Sequence, residues 1–468
     1  MEKYNKGMGD NEDMMFFGEA KRSLETLAEA QILVVGGGPA GIAAATAAAR
    51  IGVKTILVES GGYFGGNITR TGVESAACFR SKNTVEAGGI FAELEADVRK
   101  LTESFYENLS GVPVMDPELF KIAADRLLLS AKVIPILHCA AADAIVDELH
   151  RIRGIVVQSK SGRQAVYGQR VIDCTGDADV AMLAGTPVVQ SPKSQRMGVT
   201  PMFQVAGVNT QRFLNYIENE LKPTYHDWGD FWNMQMNKDD LDRFAPCISK
   251  CLQKAARDGL LPGIPDVRFG GEYGIVTRDG MVSGMNLILI GGIDCTDVMD
   301  LTRAEMAGRE YAMMVLKALR RYLPGFESAR ISRFSASVGT RESRRILGHY
   351  LLTGADVLDE CRFSDSIGVI PEFLDGRGLL VAPTTGRYLQ IPYRALLPQK
   401  VGNLLVAGRC ISGDEIAHCA FRSIVACFAT GQGAGVAAAV SVLENTTAQN
   451  VKIADVQSAL MSQKVRVF

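Results

Sequence analysis

The segment Gln31 to Ser60, QILVVGGGPAGIAAATAAARIGVKTILVES, constrains this chain more than any other stretch. An uncharged apolar run, Ile32 to Val35, meets a glycine-rich turn, an alanine-rich stretch and a second apolar run that ends at Glu59. Short apolar runs bounded by glycine read as buried strands and the alanine-rich stretch as a helix, so the segment predicts one βαβ unit. Gly36, Gly38 and Gly41 take G-x-G-x-x-G spacing at the strand-to-helix junction. The first glycine permits the tight turn, the second a close approach of a pyrophosphate, and the third close packing of helix on strand. Free amide groups at the positive end of the helix that Pro39 and Ala40 begin would carry the phosphates. Glu59 stands 18 residues beyond Gly41, where an acid accepts hydrogen bonds from a ribose diol. A glutamate there, without an arginine pocket, favours FAD or NAD over NADP.

Ser60 opens a second glycine-rich stretch, SGGYFGGNITRTG, in which Gly61, Gly62, Gly65 and Gly66 precede Asn67. A loop so stripped of side chains can lie against a flat, extended ligand. Arg170 to Asp177 is an apolar strand that runs into the turn Thr175-Gly176-Asp177, and Asn403 to Arg409 is another that ends in Gly408-Arg409. Ala429 to Gly435 reads as the opening of an alanine-rich helix, with Gly431, Gln432, Gly433 and Ala434 at its positive end. Two further strings are Arg341-Glu342-Ser343-Arg344-Arg345 and Gly408-Arg409-Cys410-Ile411-Ser412. With these pieces the chain resembles, from about residue 31 to about 445, an FAD-dependent oxidoreductase family within the two-dinucleotide-binding-fold flavoproteins. The resemblance implies FAD as cofactor and adds Cys139 and Ala140 to the cofactor-binding set. It also implies an α/β fold: a Rossmann-like FAD-binding domain of the glutathione-reductase type with an inserted α+β substrate or cap domain. The expected division is an N-terminal extension over 1–30, an FAD-binding domain over 31–185 plus 395–468, and a cap over 186–394.

Charge and composition narrow the alternatives. Lysine and arginine number 50 against 52 acids, so no basic surface suited to nucleic acid is expected. Five histidines leave little material for a metal site, and none is expected. The ten cysteines include no C-x-x-C pair, which argues against clusters, zinc ribbons and redox-active dithiols. Without a cleavable apolar segment near Met1, reduced thiols point to the cytoplasm. Two uncharged stretches, Ile32 to Ala49 and Ser423 to Leu443, contain glycine clusters and read as core elements, not membrane spans.

A flavin performs hydride transfer itself, and the protein supplies orientation, a proton acceptor and charge stabilisation. Family members carry a histidine five residues after the cysteine of G-R-C, where this chain has Glu415; His418 follows three residues later. His418 reads as a relocated acid or base, or as a histidine bonded in the core. Arg422 keeps the family spacing. Arg341, Arg344 and Arg345 read either as partners of Glu342 and neighbouring acids or as a fork for a substrate anion. Trp228 and Trp232 would wall a substrate pocket or anchor the cap's own core, the second reading being favoured. The expectation is an enzyme, a dehydrogenase or oxidase that moves a hydride between flavin and carbon of a small anionic substrate fixed by Arg341 or Arg422. Two alternatives stay open: a reductase of activated double bonds fed by an external donor, and a flavin-binding electron-transfer subunit. An electron carrier and a second copy of the chain are further candidate partners.

Overall fold

The computed structural model describes residues 18, 23–77, 79, 84–110, 114–229, 231–382 and 386–468. The predicted βαβ unit is present as β1 (Thr26–Val35), α1 (Pro39–Arg50) and β2 (Thr55–Val58). The sheet continues with β3 (Ile134–Ile136), β4 (Ala140–Val146), β5 (Ile152–Ser159) and the long β6 (Gly162–Asp173). Its parallel part runs β3-β2-β1-β6, and the strand Leu404–Val406 joins β6 on the far side. β4, β5 and the first half of β6 form an antiparallel meander on the same sheet. The fold is thus mixed α/β.

Strand register decides where the site lies. Val35 pairs with Val58 and with Asp173, Asp173 pairs with Val406, and Val58 pairs with Ile136. Four parallel strands and Leu404–Val406 therefore end level. Every turn of interest leaves the sheet at that one edge, where ligands of open α/β sheets bind.

β1 begins at Thr26, so residues 26–30 belong to the first strand and not to a separate extension. Ala20 to Ala30 carries helix-forming residues, yet Thr26, Ala28, Glu29 and Ala30 are drawn into the ladder with Ala165 to Gly168 of β6. A long partner strand overrides local propensity. Met14 to Phe17 lie outside the described residues.

α1 crosses the helix Ile424–Leu443 in backbone contact. A Cβ on Gly431 would sit 2.1 Å from the Ala40 carbonyl oxygen, and one on Gly435 would sit 2.2 Å from that of Ala44. This helix is long and apolar enough to cross a membrane, but 89% of its apolar window is buried in protein. The apolar core around it includes Ile42, Ala44, Leu57, Phe120 and Ala438.

Above the sheet edge, a four-stranded antiparallel sheet runs Val267–Glu272, Val282–Ile290, Phe203–Ala206 and Arg330–Phe334. The helices Ser249–Arg257 and Val298–Tyr322 contribute to its separate core, where Phe213 meets Tyr273 and Phe326 edge to face. Helices also form in this region at Val298–Tyr322 and at Thr210–Tyr216 with its continuation to Leu221. The expected boundary at 394 does not follow the packing. Ile367, Ile370, Leu389 and Ile391, from the paired strands Ser366–Pro371 and Tyr388–Pro392, join the core of α1. Gly433 makes room for this, since a Cβ there would lie 2.2 Å from Cδ1 of Ile367.

Candidate functional site

A cleft of about 1380 Å³ opens between the sheet edge and the antiparallel sheet. It exceeds the roughly 300–1,000 Å³ of an ordinary small-molecule site, so a cofactor and a substrate both have room.

One end is made of backbone. Gly36 turns at φ +100°, and a Cβ there would strike the Cys174 carbonyl oxygen at 2.5 Å. Gly38 faces Gly66 across an open bed, the Gly66 Cα being 3.7 Å from where a Gly38 Cβ would stand. Pro39 and Ala40 start α1 over that bed, and Ser60, Asn67, Cys139 and Ala140 border it. Glu59 is oriented by backbone amides of two turns: Oε2 accepts from the Gly37 amide of the β1–α1 turn at 2.7 Å, and Oε1 from the Gly61 amide of its own turn at 2.6 Å. Gly41 and Gly65 do not line the cleft. They let it form, because a Cβ would lie 1.7 Å from the Gly36 carbonyl oxygen and 2.4 Å from Cγ2 of Thr69 respectively.

Asp173, fully buried at the end of β6, shapes the next turn. It accepts from the Thr175 amide at 3.0 Å, the Thr175 hydroxyl at 2.7 Å and the Ala181 amide at 2.8 Å. Thr175, Gly176 and Asp177 then line the cleft beside Gly408 and Arg409. Arg409 pairs with Asp177 at 2.5 Å; burial alone would lower its pKa, but Asp177 raises it, so the guanidinium stays charged. The glycine bed, the carboxylate at the end of β2 and the helix start together fit a dinucleotide such as FAD.

Gly431, Gln432, Gly433 and Ala434 do not belong to this bed. The helix starts at Ile424, with Ser423 as its N-cap, so these residues lie mid-helix. Gly431 serves the crossing with α1, Gly433 leaves room for Ile367, and Gln432 accepts from the Ile90 amide at 2.9 Å. Ser423, Ile424 and Cys427 at that helix end reach the cleft.

The other end is made of side chains. Arg341 lines the cleft, its guanidinium 3.4 Å from Oδ1 of Asn286, with no ion pair among the described residues. Burial pulls its pKa below the ordinary arginine value, against the opposing charges of Asp375 and Glu272. Arg344 and Arg345 are committed elsewhere. Arg344 bonds Asp179 and the Asp177 carbonyl, while Arg345 bonds Glu342 at 3.2 Å and the Gly413 carbonyl at 3.1 Å. Arg422 reaches the cleft but is engaged with Asp375 at 2.8 Å. Of the arginines put forward from the sequence, Arg341 alone keeps a guanidinium free of an acid.

Neither acid–base candidate from the C-terminal turn faces the cleft. His418 is 1% exposed, its ring edge-on to Phe421 at 5.3 Å, and neither ring nitrogen has a hydrogen-bond partner among the described residues. Burial and then the charges of Arg345, Arg422, Arg409 and Arg377 hold its pKa well below the ordinary histidine value. It is a neutral core imidazole. Glu415 points away, accepting from Ser191 Oγ at 2.7 Å and pairing with Arg377 at 3.3 Å.

Three polar groups not singled out from the sequence line the cleft instead. Glu272, Asn286 and Asp375 line the same end as Arg341. Burial raises the Glu272 pKa, with Asn286 and Arg341 opposing. Gly270-Gly271 directly before Glu272 were the one local signal available. Trp228 and Trp232 line the cleft rather than the cap's core, contrary to the favoured expectation.

Residues 31–460 match the protein family described as FAD dependent oxidoreductase. Among curated proteins, thiamine thiazole synthase of Metallosphaera sedula is 29% identical over 172 residues, 34% of this chain and 58% of that protein. Thiamine thiazole synthase of Sulfolobus acidocaldarius is 27% identical over 175 residues, 34% of this chain and 60% of that protein. The chain thus spans less than two thirds of the length of these relatives. Among solved structures, a geranylgeranyl bacteriochlorophyll reductase-like protein from Thermoplasma acidophilum aligns with a TM-score of 0.42 at 13% identity, covering 93% of this chain and 82% of that one. A myxobacterial chondrochloren halogenase aligns with a TM-score of 0.46 at 11% identity, covering 92% and 78%.

Proposed function

The chain belongs to the FAD-dependent oxidoreductase family, and on that premise we propose that it transfers a hydride between the flavin and a carbon atom of a small anionic organic substrate. The observation that carries this reading is the Arg341 guanidinium, free of an acidic partner in the wall of a cleft whose other end fits the cofactor. When bound, FAD supplies a two-electron acceptor or donor. Gly38, Gly66 and the start of α1 would hold its phosphates, and Glu59 its ribose.

Arg341 binds and orients the substrate's anionic group through its planar fork. Glu272 is the proton acceptor. A substrate that gives up a hydride from carbon also releases a proton from the adjacent heteroatom, and a carboxylate with a raised pKa is suited to take it. Asn286 steers both groups, since it contacts Arg341 and hydrogen-bonds Glu272.

The test is anaerobic mixing of the FAD-loaded protein with a panel of small organic acids, amino acids and their uncharged esters, read by bleaching of the flavin band. Bleaching by an acid, weaker with its ester and weaker still in Arg341→Ala, is the expected result. Equal bleaching by acid and ester would overturn the anion assignment.

A further inference from the structure

The outer half of the cleft is lined by aromatic rings. Tyr225 and Trp228 stack at 6.0 Å and 16°, Trp228 meets Trp232 edge-on at 6.3 Å, and Phe231 meets Trp232 edge-on at 5.3 Å. Phe244 lines the same wall. None of these five residues belongs to the cap's core, and Phe231 and Phe244 are each 48% exposed. Contiguous large apolar side chains left facing water mark a place where another apolar surface docks. Here that place is continuous with the end that holds Arg341. The guanidinium of Arg268, which also lines the cleft, lies 3.6 Å over the Phe231 ring and braces this wall.

Resting on the reading given under Proposed function, we propose that the substrate class is an aryl-bearing organic anion: the outer wall stacks a planar aromatic ring while Arg341 holds the anionic group inside. Two features favour an aryl group over a plain aliphatic chain. The wall offers ring faces and edges at differing tilts, which pair with another aromatic ring in offset and edge-to-face geometry. The rigid rings also present this surface with little rotamer entropy to lose on binding. An aliphatic chain would gain contact area but none of the ring-to-ring electrostatics.

Both tryptophans of the chain sit in this wall, so tryptophan emission of the FAD-loaded protein reports on it directly. The probes are 2-naphthoate and its saturated counterpart decahydro-2-naphthoate, similar in size and equal in charge, with NAD+ as a third ligand. Saturable quenching by 2-naphthoate is expected, with affinity about tenfold above that of the saturated acid. Calorimetry on Trp228→Leu and Trp232→Leu should remove most of that tenfold advantage while changing the saturated acid little. Phe231→Leu repeats the test at a half-exposed position that core packing does not need. Arg341→Ala should weaken both acids alike.

Equal affinity of wild-type protein for the two acids would overturn the aryl assignment and leave the anion reading intact, provided Arg341→Ala still weakens both. Loss of the Arg341 effect with aromatic preference retained would overturn the anion reading, and with it the claim that the ligand is an anion. NAD+ binding more tightly than 2-naphthoate, with dependence on Trp232, would overturn the proposal by assigning the wall to a dinucleotide.

Discussion

At the cofactor end of the cleft the chain presents backbone; at the substrate end it presents charged and aromatic side chains. Gly36, Gly38, Gly66 and the start of α1 define the first end, and its acid, Glu59, is held by backbone amides of its own turn and of the adjacent β1–α1 turn. Arg341, Glu272, Asn286 and Asp375 define the second, each from a different segment, with partners that are again side chains. A backbone site tolerates almost no added atoms but depends little on distant residues. A side-chain site tolerates changes of shape but depends on which charges the rest of the fold leaves unpaired.

This contrast can be broken most severely at the first end. Gly41→Val would drive a branched side chain into the Gly36 carbonyl, 1.7 Å from the new Cβ, and should yield protein that retains no FAD, seen as a missing flavin absorbance. Next in size is Glu272→Gln. General acid–base groups contribute about 10²–10⁴-fold, so turnover should fall within that range with FAD retained. Glu272 must be ionised to accept a proton, and burial raises its pKa, so the acid limb of the kcat/KM profile should lie above the ordinary glutamate value. The variant should lose that limb. Arg341→Ala should lower kcat/KM by roughly 10²-fold, as expected for removing one partner of a desolvated charge pair, with partial rescue by lysine. A full rescue by lysine would mean that the planar fork is not used.

A smaller effect is expected at the seam between the two regions. Glu74 follows the cofactor-side turn and accepts from Ser283 Oγ at 2.8 Å and the Ile275 amide at 3.1 Å in the antiparallel sheet. Burial raises its pKa from 4.5 to about 7, with Asp116 adding to the rise and Arg333 opposing it. The folded state therefore binds this proton more tightly than the unfolded one. The stability so gained is complete below the unfolded value and is lost as pH rises through the folded value. Glu74→Gln should raise the Tm at pH 8, by the equivalent of about 3 kcal/mol at most, and the gap should close as pH falls toward 4.5. Thermal melts across that range decide it. Least is expected of His418→Leu, which replaces an unpartnered core imidazole: kcat/KM should change by less than about threefold, since general acid–base roles carry far larger effects. A large loss would return His418 to the mechanism and blur the division between the two ends.

Legibility followed the same division. The β1–α1–β2 unit, Glu59, the 175–177 turn and Gly408-Arg409 could be read because each contact that makes them lies within a few residues or across adjacent strands. The reading failed where glycine has two uses. Gly431 to Ala434 resemble a phosphate-binding helix start, but Gly431 serves a helix crossing and Gly433 the packing of Ile367, and Ser423, whose hydroxyl accepts from the Ala426 amide at 3.3 Å, marks the true start. Three arginines between 341 and 345 look alike in sequence; distant partners at Asp179 and Gly413, with Glu342 close by in the chain, take two of them and leave Arg341.

What the sequence determined by itself was the β1–α1–β2 unit and the glycine turns beside it, because glycine conformations, strand runs and helix starts are local properties of the chain. Only the tertiary structure decided the substrate end. Whether a charged group is buried, paired or free depends on which remote segments arrive beside it. Among the described residues Arg341 has no ion pair, Glu272 has its pKa raised and His418 lies in the core, and several of the charged neighbours that set these states, such as Asp375 for Arg341 and Arg345 for His418, lie tens of residues away in the chain.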